Sequence, residues 1–75
     1  MKTEQIKDVI TEVVIGFDIE NLREDQNLLD AGIDSLDHMN ILLAIEEQCG
    51  IEIPNQDVEE CTSIEGILLY IQKNK

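Results

Sequence analysis

The chain has 75 residues, of which 43% are hydrophobic, and it carries a formal net charge of −12 at pH 7. This length allows one domain with one small core, so we expect residues 1–75 to form a single domain without a large enclosed active site. The negative charge excludes nucleic acids and anionic membranes as favourable partners, because both would be repelled.

The first predicted element is an amphipathic helix. Apolar residues recur at helical spacing from Ile6 to Phe17, which predicts a helix from about Thr3 to Ile15. Thr3 is a suitable N-cap residue, and Gly16 is expected to end the helix.

A long connection follows, from about Gly16 to Asp34. A segment of this length without regular structure is unusual in a compact domain. Because it contains apolar residues of its own, we expect an ordered loop that packs across the helices. These anchoring residues are Phe17, Ile19, Leu22, Leu28, Leu29 and Ile33.

The second helix is predicted to start at Asp34–Ser35 and to run to about Cys49. Ser35 is a suitable N-cap residue. The carboxylates of Asp34 and Asp37 lie at the helix start, where they interact favourably with the helix dipole. Gly50 is expected to end this helix.

Two more helices are predicted in the last third of the chain. The segment Ile51–Pro54 is expected to be extended, because proline disfavours helix at the preceding residue. A short helix from about Asn55 to Glu60 should follow. The capping-box pattern in Thr62–Glu65 then opens a last helix that runs to about Gln72. The predicted fold is therefore all-α: a small bundle of three main helices plus one short helix, with a long ordered loop between the first and second helices.

The second helix has two apolar faces, although a small bundle buries only one broad stripe of each helix. The face expected in the core comprises Ile41, Ile45 and Cys49, with His38 and Leu42 at its edges. Leu36, Met39 and Leu43 form the second face, beside Ser35 and among acidic residues, which is typical of a docking surface. Burial of this face under the long loop is the alternative, favoured more for Leu36 than for the other two.

Positive charges are missing from most of the chain. No Lys or Arg occurs between Glu24 and Gln72, whereas acidic residues recur throughout. The five basic residues are Lys2, Lys7, Arg23, Lys73 and Lys75. This distribution predicts attraction to basic protein surfaces, with long-range steering and a strong dependence on salt.

The chain has no pattern typical of export or of a membrane span. Its first residues do not form a signal peptide, and no apolar run approaches ~20 residues. Cys49 and Cys61 do not form a Cys-x-x-Cys pair, and both are interpreted as small apolar residues. We therefore expect a cytoplasmic protein with reduced thiols. We also expect it to be a monomer.

The most specific pattern in the chain is the segment Gly32–Asp37, which reads Gly-Ile-Asp-Ser-Leu-Asp. With Leu28–Gly32 before it and Ile51–Pro54 after it, this segment resembles the phosphopantetheine attachment motif of acyl carrier proteins. The resemblance covers essentially all 75 residues.

The resemblance implies a carrier without intrinsic catalysis. Ser35 would receive 4'-phosphopantetheine from a phosphopantetheinyl transferase that uses coenzyme A and magnesium. The arm would then present acyl thioesters to acyltransferases, ketosynthases and other basic-surfaced enzymes of fatty acid, polyketide or related specialised biosynthesis. The residues expected to dock partners are Asp34, Leu36, Asp37, Met39, Leu43, Glu46 and Glu47. The residues expected to shelter a short acyl chain are Ile41, Ile45, Cys49, Ile64 and Leu68.

Three residues of the second helix depart from the usual pattern of the family. Asn40 stands where an acidic residue is common, His38 where a small or polar residue is common, and Cys49 where an aromatic residue is typical. These differences indicate a specialised pathway rather than primary fatty acid synthesis.

Other functions fit the sequence poorly. A serine hydrolase is disfavoured because Ser35 lacks the Gly-x-Ser-x-Gly spacing and His38 follows it on the same helix. A calcium loop starting at Asp18 fails, because Arg23 occupies the required Gly position and Leu29 the required Glu position. One histidine and two scattered cysteines do not predict a metal site.

Two alternatives to an acyl carrier remain open. One is a stand-alone aminoacyl or peptidyl carrier, which would use Ser35 in the same way. The other is a non-covalent acidic adaptor that has the carrier fold without modification. The adaptor predicts that replacement of Ser35 leaves function intact, whereas both carriers predict its loss.

Overall fold

The computed structural model describes residues 1–74, and Lys75, one of the five basic residues, lies outside them. This part of the chain contains three α-helices and two 3₁₀ segments, and no strand. In chain order these are α1 (Thr3–Val13), η1 (Ile19–Asn21), α2 (Ser35–Cys49), η2 (Asn55–Cys61) and α3 (Ile64–Lys73). The predicted all-α bundle of three main helices and one short helix is therefore confirmed.

The ends of α1 differ from the prediction. The helix ends at Val13 rather than Ile15, because Val14 adopts non-helical angles. Ile15 is 90% exposed, so no burial favours another helical turn there. Thr3 is the first helical residue and not the N-cap, which is Lys2. The backbone N–H of Lys2 donates to the side-chain oxygen of Gln5 at 2.7 Å.

The start of α3 uses a different cap from the one predicted. The hydroxyl of Ser63 accepts a hydrogen bond from the backbone N–H of Gly66 at 3.0 Å, which makes Ser63 the N-cap. Thr62 does not cap this helix, because its hydroxyl donates to the carbonyl of Glu59. The preceding short helix is a 3₁₀ segment that ends at Cys61, one residue beyond its predicted end.

The long connection between α1 and α2 is ordered, as predicted, and it contains the short segment η1. The backbone N–H of Leu28 donates to the carbonyl of Thr62 at 2.8 Å, and that of Glu65 donates to the carbonyl of Glu24 at 2.8 Å. These two bonds fasten the connection to the start of α3. Leu29 is 41% exposed and does not anchor the loop, contrary to the prediction.

The core lies where α1, α2 and α3 meet under the connection. The backbone of α1 packs closely against both α2 and α3, and that of η2 packs against α3. The buried residues of α1 are Ile6, Val9 and Ile10, those of the connection are Leu22, Leu28 and Ile33, and those of α3 are Ile64, Ile67, Tyr70 and Ile71. No helix in residues 1–74 is long and apolar enough to cross a membrane.

Candidate functional site at the start of the second helix

The backbone before α2 brings Ser35 to the surface. Gly32 has a φ of +102°, a conformation that favours glycine and turns the chain toward the helix. Ile33 is then buried at 2% exposure, and its N–H donates to the carbonyl of Leu28 at 3.1 Å. With Ile33 anchored inside, Asp34 and Ser35 both lie exposed at the start of the helix.

Asp34, and not Ser35, is the N-cap of α2. Its carboxylate accepts a hydrogen bond from the backbone N–H of Asp37 at 2.8 Å. The predicted cap was wrong by one residue, because an aspartate at this position reaches the same N–H groups as a serine and adds a favourable charge at the helix start. Ser35 is therefore the first helical residue, and its hydroxyl has no capping role.

Polar groups at this helix start remain available to an incoming molecule. Among residues 1–74, no hydrogen bond involves the Ser35 hydroxyl or the backbone N–H groups of Ser35 and Leu36. The first N–H groups of a helix lack intrahelical acceptors and favour negative charge. A phosphate joined to Ser35 would thus lie at a favourable point of the helix dipole.

The second apolar face of α2 is exposed. The exposed fractions are 70% for Leu36, 37% for Met39 and 54% for Leu43. The alternative, in which the long loop covers this face at Leu36, is therefore wrong. The loop instead packs Leu22, Leu28 and Ile33 into the core and forms backbone hydrogen bonds at the start of α3, and it leaves the outer side of α2 open.

The acidic residues of α2 differ in their surroundings. Glu47 is exposed, whereas Glu46 is half-buried and its carboxylate accepts a hydrogen bond from the backbone N–H of Ile53 at 2.8 Å. Glu46 therefore ties the end of α2 to the segment after it. The ion pairs within residues 1–74 are Arg23–Asp25 and Lys73–Glu60, so the α2 carboxylates have no basic partner in the described part of the chain.

The five residues expected to shelter an acyl chain do not share one environment. Ile41, Ile45 and Ile64 are fully buried, and Leu68 is half-buried against the core. Cys49 borders a surface cavity of about 300 Å³ whose other lining residues are Met1, Gln5, Gln48, Ile51 and Ile71. At about 1.5 Å per residue, Cys49 lies about 21 Å along the helix from Ser35.

The sequence pattern places His38 at the edge of the core but does not identify its hydrogen-bond partner. The side chain is 3% exposed, and its Nε2 lies 2.8 Å from the carbonyl oxygen of Cys61. Its spacing from Ile41 and Ile45 is the signal that it faces inward. Its acceptor, 23 positions later, could only be found from the structure.

The thiols of Cys61 and Cys49 differ in burial. Cys61 is fully buried, and this burial, with smaller contributions from the charges of Glu60 and Asp57, raises the pKa of its thiol to about 11. A buried thiol with a raised pKa is unreactive. Cys49 is half-exposed, and its thiol lies 3.9 Å from the sulfur of Met1.

The chain matches a protein-family model over most of its length. The model described as "Phosphopantetheine attachment site" matches residues 4–71, which is nearly the whole chain. The matched region contains all of α2, with its exposed serine, and it contains α1 and α3 apart from Thr3, Gln72 and Lys73.

Proposed function

This chain belongs to the phosphopantetheine attachment site family, whose members carry a 4'-phosphopantetheine prosthetic group, and we propose that Ser35 is the residue that bears this group. We further propose that the arm carries acyl groups as thioesters and delivers them to partner enzymes of fatty acid, polyketide or related specialised biosynthesis. The observation that carries the proposal is the exposed hydroxyl of Ser35 at the first position of α2.

A comparison with the other serine of the chain favours Ser35 as the attachment residue. Ser63 also lies at the start of a helix, but it is half-buried and its hydroxyl already accepts a hydrogen bond from Gly66. Ser35 is exposed, and its hydroxyl is free within residues 1–74. A transferase can therefore reach Ser35 without removing a helix cap.

The surroundings of Ser35 suit covalent attachment better than reversible binding of an anion. The carboxylates of Asp34 and Asp37 flank it, and their negative charge would repel a free phosphate group. A covalent phosphodiester needs no affinity of this kind, and the free N–H groups of the helix start partly offset the repulsion. When bound, the prosthetic group supplies a terminal thiol, which forms thioesters with acyl groups.

We propose that the chain itself catalyses no reaction. Carrier domains of this family are generally non-catalytic. The histidine of the chain, His38, is not available as a base, because it is buried and its Nε2 is engaged with the carbonyl of Cys61. Proton removal from the Ser35 hydroxyl is thus assigned to the transferase.

We propose the exposed side of α2 as the docking surface for basic partners. It combines the apolar side chains of Leu36, Met39 and Leu43 with the carboxylates of Asp37 and Glu47. Lys and Arg on a partner would meet these carboxylates, and their attraction would speed association. Asp34 and Glu46 lie in the same region, but both also hold the fold through hydrogen bonds to backbone N–H groups.

Intact-protein mass spectrometry tests the attachment. The protein is incubated with a broad-specificity phosphopantetheinyl transferase, coenzyme A and magnesium, beside the variants Ser35→Ala and Ser63→Ala. A mass gain of one phosphopantetheine is expected for the wild type and for Ser63→Ala, and no gain for Ser35→Ala. A gain that persists in Ser35→Ala would refute the assignment.

The same experiment separates the alternatives. Absence of a gain in folded wild-type protein would favour the non-covalent adaptor, in which Ser35 is only a surface residue. An aminoacyl or peptidyl carrier would be loaded in the same way as an acyl carrier. It would be distinguished by incubating the loaded protein with acyl-activating and amino-acid-activating enzymes and measuring which thioester forms.

A charge reversal tests the docking surface. Glu47→Lys should lower kcat/KM for the transferase reaction and reduce its decline with added salt, because a steering charge is lost. Glu12→Lys is the matched control, since Glu12 is an exposed residue of α1 and the change in net charge is the same. Equal kinetics for the two variants would argue against docking through α2.

A further inference from the structure

His38 is a buried polar side chain in an otherwise apolar interior. It is 3% exposed, and it is the one buried polar or charged side chain among residues 1–74. Its Nε2 lies 2.8 Å from the carbonyl oxygen of Cys61. A carbonyl oxygen only accepts hydrogen bonds, so Nε2 carries the proton and donates it.

This bond joins two elements whose backbones are not closely packed. The backbone of α2 lies close to α1, and that of η2 lies close to α3, whereas α2 and η2 approach each other less closely. The side chain of His38 spans this wider gap and reaches the last residue of η2. We call the contact between His38 and Cys61 the α2–η2 seam.

The seam lies next to the attachment residue. His38 is three positions after Ser35, a rise of about 4.5 Å along the helix. It is the first inward-facing residue of α2, and the next ones are Ile41, Leu42 and Ile45. A chain that starts at Ser35 and enters between α2 and η2 therefore meets His38 before the other buried residues of α2.

We propose that the His38–Cys61 hydrogen bond keeps the α2–η2 seam closed. The acyl group carried on Ser35 therefore stays outside the bundle, and the chain is suited to short or polar acyl groups rather than to long alkyl chains. This inference rests on the proposed carrier function. It makes His38 a residue that determines specificity through the fold, without contact with any reacting atom.

A long alkyl chain that opened the seam would break a buried hydrogen bond, and this loss opposes its entry. A long alkyl chain gains free energy when its apolar surface leaves water. To enter at the seam it must separate His38 from Cys61, which leaves a buried donor and a buried acceptor unpaired. Beyond the seam it would have to make room among fully buried side chains, of which Ile41 and Ile64 are two. Short or polar groups gain little from burial, so they have no comparable tendency to open the seam.

The closed seam can be tested without any prosthetic group. In a Cys49→Ser background, the rate at which Cys61 reacts with dithiodipyridine reports opening, because this thiol is fully buried. His38→Leu fills the space without a donor and should raise the rate about tenfold. His38→Gln retains an N–H donor and should stay near the wild-type rate, as should the exposed control Asn40→Ala.

Urea unfolding of each variant separates local opening from global loss of stability. A rate for His38→Leu equal to that of the wild type at matched stability would overturn the proposal. If His38→Leu does not fold, the acyl series below decides the proposal with the wild-type protein alone.

The substrate class is tested with loaded protein. Phosphopantetheine arms that end in amide-linked acetyl, hexanoyl or decanoyl groups are attached to Ser35, and urea unfolding midpoints are measured. The midpoint should be independent of chain length in the wild type and should rise with chain length in His38→Leu. A rise in the wild type would overturn the proposal. Failure to load Ser35 would count against the proposed function instead, and the thiol-reaction rates would then decide whether the seam is closed.

Discussion

Glu46 and Glu47 are adjacent acidic residues of α2, but we expect their removal to have very different effects on stability. The carboxylate of Glu46 accepts a hydrogen bond from the backbone N–H of Ile53, whereas Glu47 is exposed. In Glu46→Ala this N–H loses its acceptor, and the segment between α2 and η2 loses its tie to the helix. In Glu47→Ala no contact of this kind is lost.

The magnitude follows from the kind of bond. A hydrogen bond to a charged group contributes about 1.5–3 kcal/mol, and because Glu46 is only half-buried we expect Glu46→Ala to lower the free energy of unfolding by about 2 kcal/mol. In a domain of this size, that corresponds to a fall in Tm of roughly 8–16 °C. Glu47→Ala should change the free energy by less than about 0.5 kcal/mol. Both glutamates lie near the C-terminus of α2, where negative charge is unfavourable, so the dipole effect is similar in both variants.

Urea denaturation followed by far-ultraviolet circular dichroism measures this difference. Glu46→Gln is the third variant, since its side-chain oxygen can still accept the Ile53 N–H, and it should retain most of the stability. Equal loss in Glu46→Ala and Glu47→Ala would show that the hydrogen bond contributes nothing. The result also bears on docking, because a charge reversal at Glu46 would alter the fold as well as the surface.

Three further predictions concern α3. Gly66→Ala should destabilise the protein by about 1–3 kcal/mol in urea unfolding, because the added Cβ would collide with the backbone carbonyl of Glu60; unchanged stability would mean that this close approach relaxes freely. The hydrogen bond to Asp57, together with a smaller effect of burial, raises the pKa of Tyr70 from 10 to about 12. The stability that the protonated Tyr70 hydroxyl contributes should therefore be complete below pH 10 and lost as the pH rises through 12. Absorbance titration of this single tyrosine measures the shift, and Asp57→Asn should lower its pKa; an ordinary pKa in the wild type would contradict the hydrogen bond. Ser63→Ala removes the N-cap and should lower the free energy of unfolding by about 1 kcal/mol, as measured by thermal denaturation; no change would mean that water replaces the cap.

The sequence alone was sufficient for the helices and for the candidate attachment residue. Periodicity located α1, capping residues located the starts of α2 and α3 to within a residue, and glycine marked the end of α2, because these signals are local and act within a few residues. The ends were less predictable. Asp34 and Ser35 are both good capping residues, and so are Thr62 and Ser63, so local preference could not choose between neighbours.

Contacts between distant residues were decided only by the tertiary structure. Leu36 looked suitable for burial under the long loop, yet the loop packs elsewhere and leaves this side chain 70% exposed. Glu46 had the charge of a docking residue, and its bond to Ile53 became visible only once the chain had folded back. The partner of His38 lies 23 residues away. Residue type and local spacing specify which groups face inward, but the free energy of pairing two such groups depends on where the rest of the chain places its backbone.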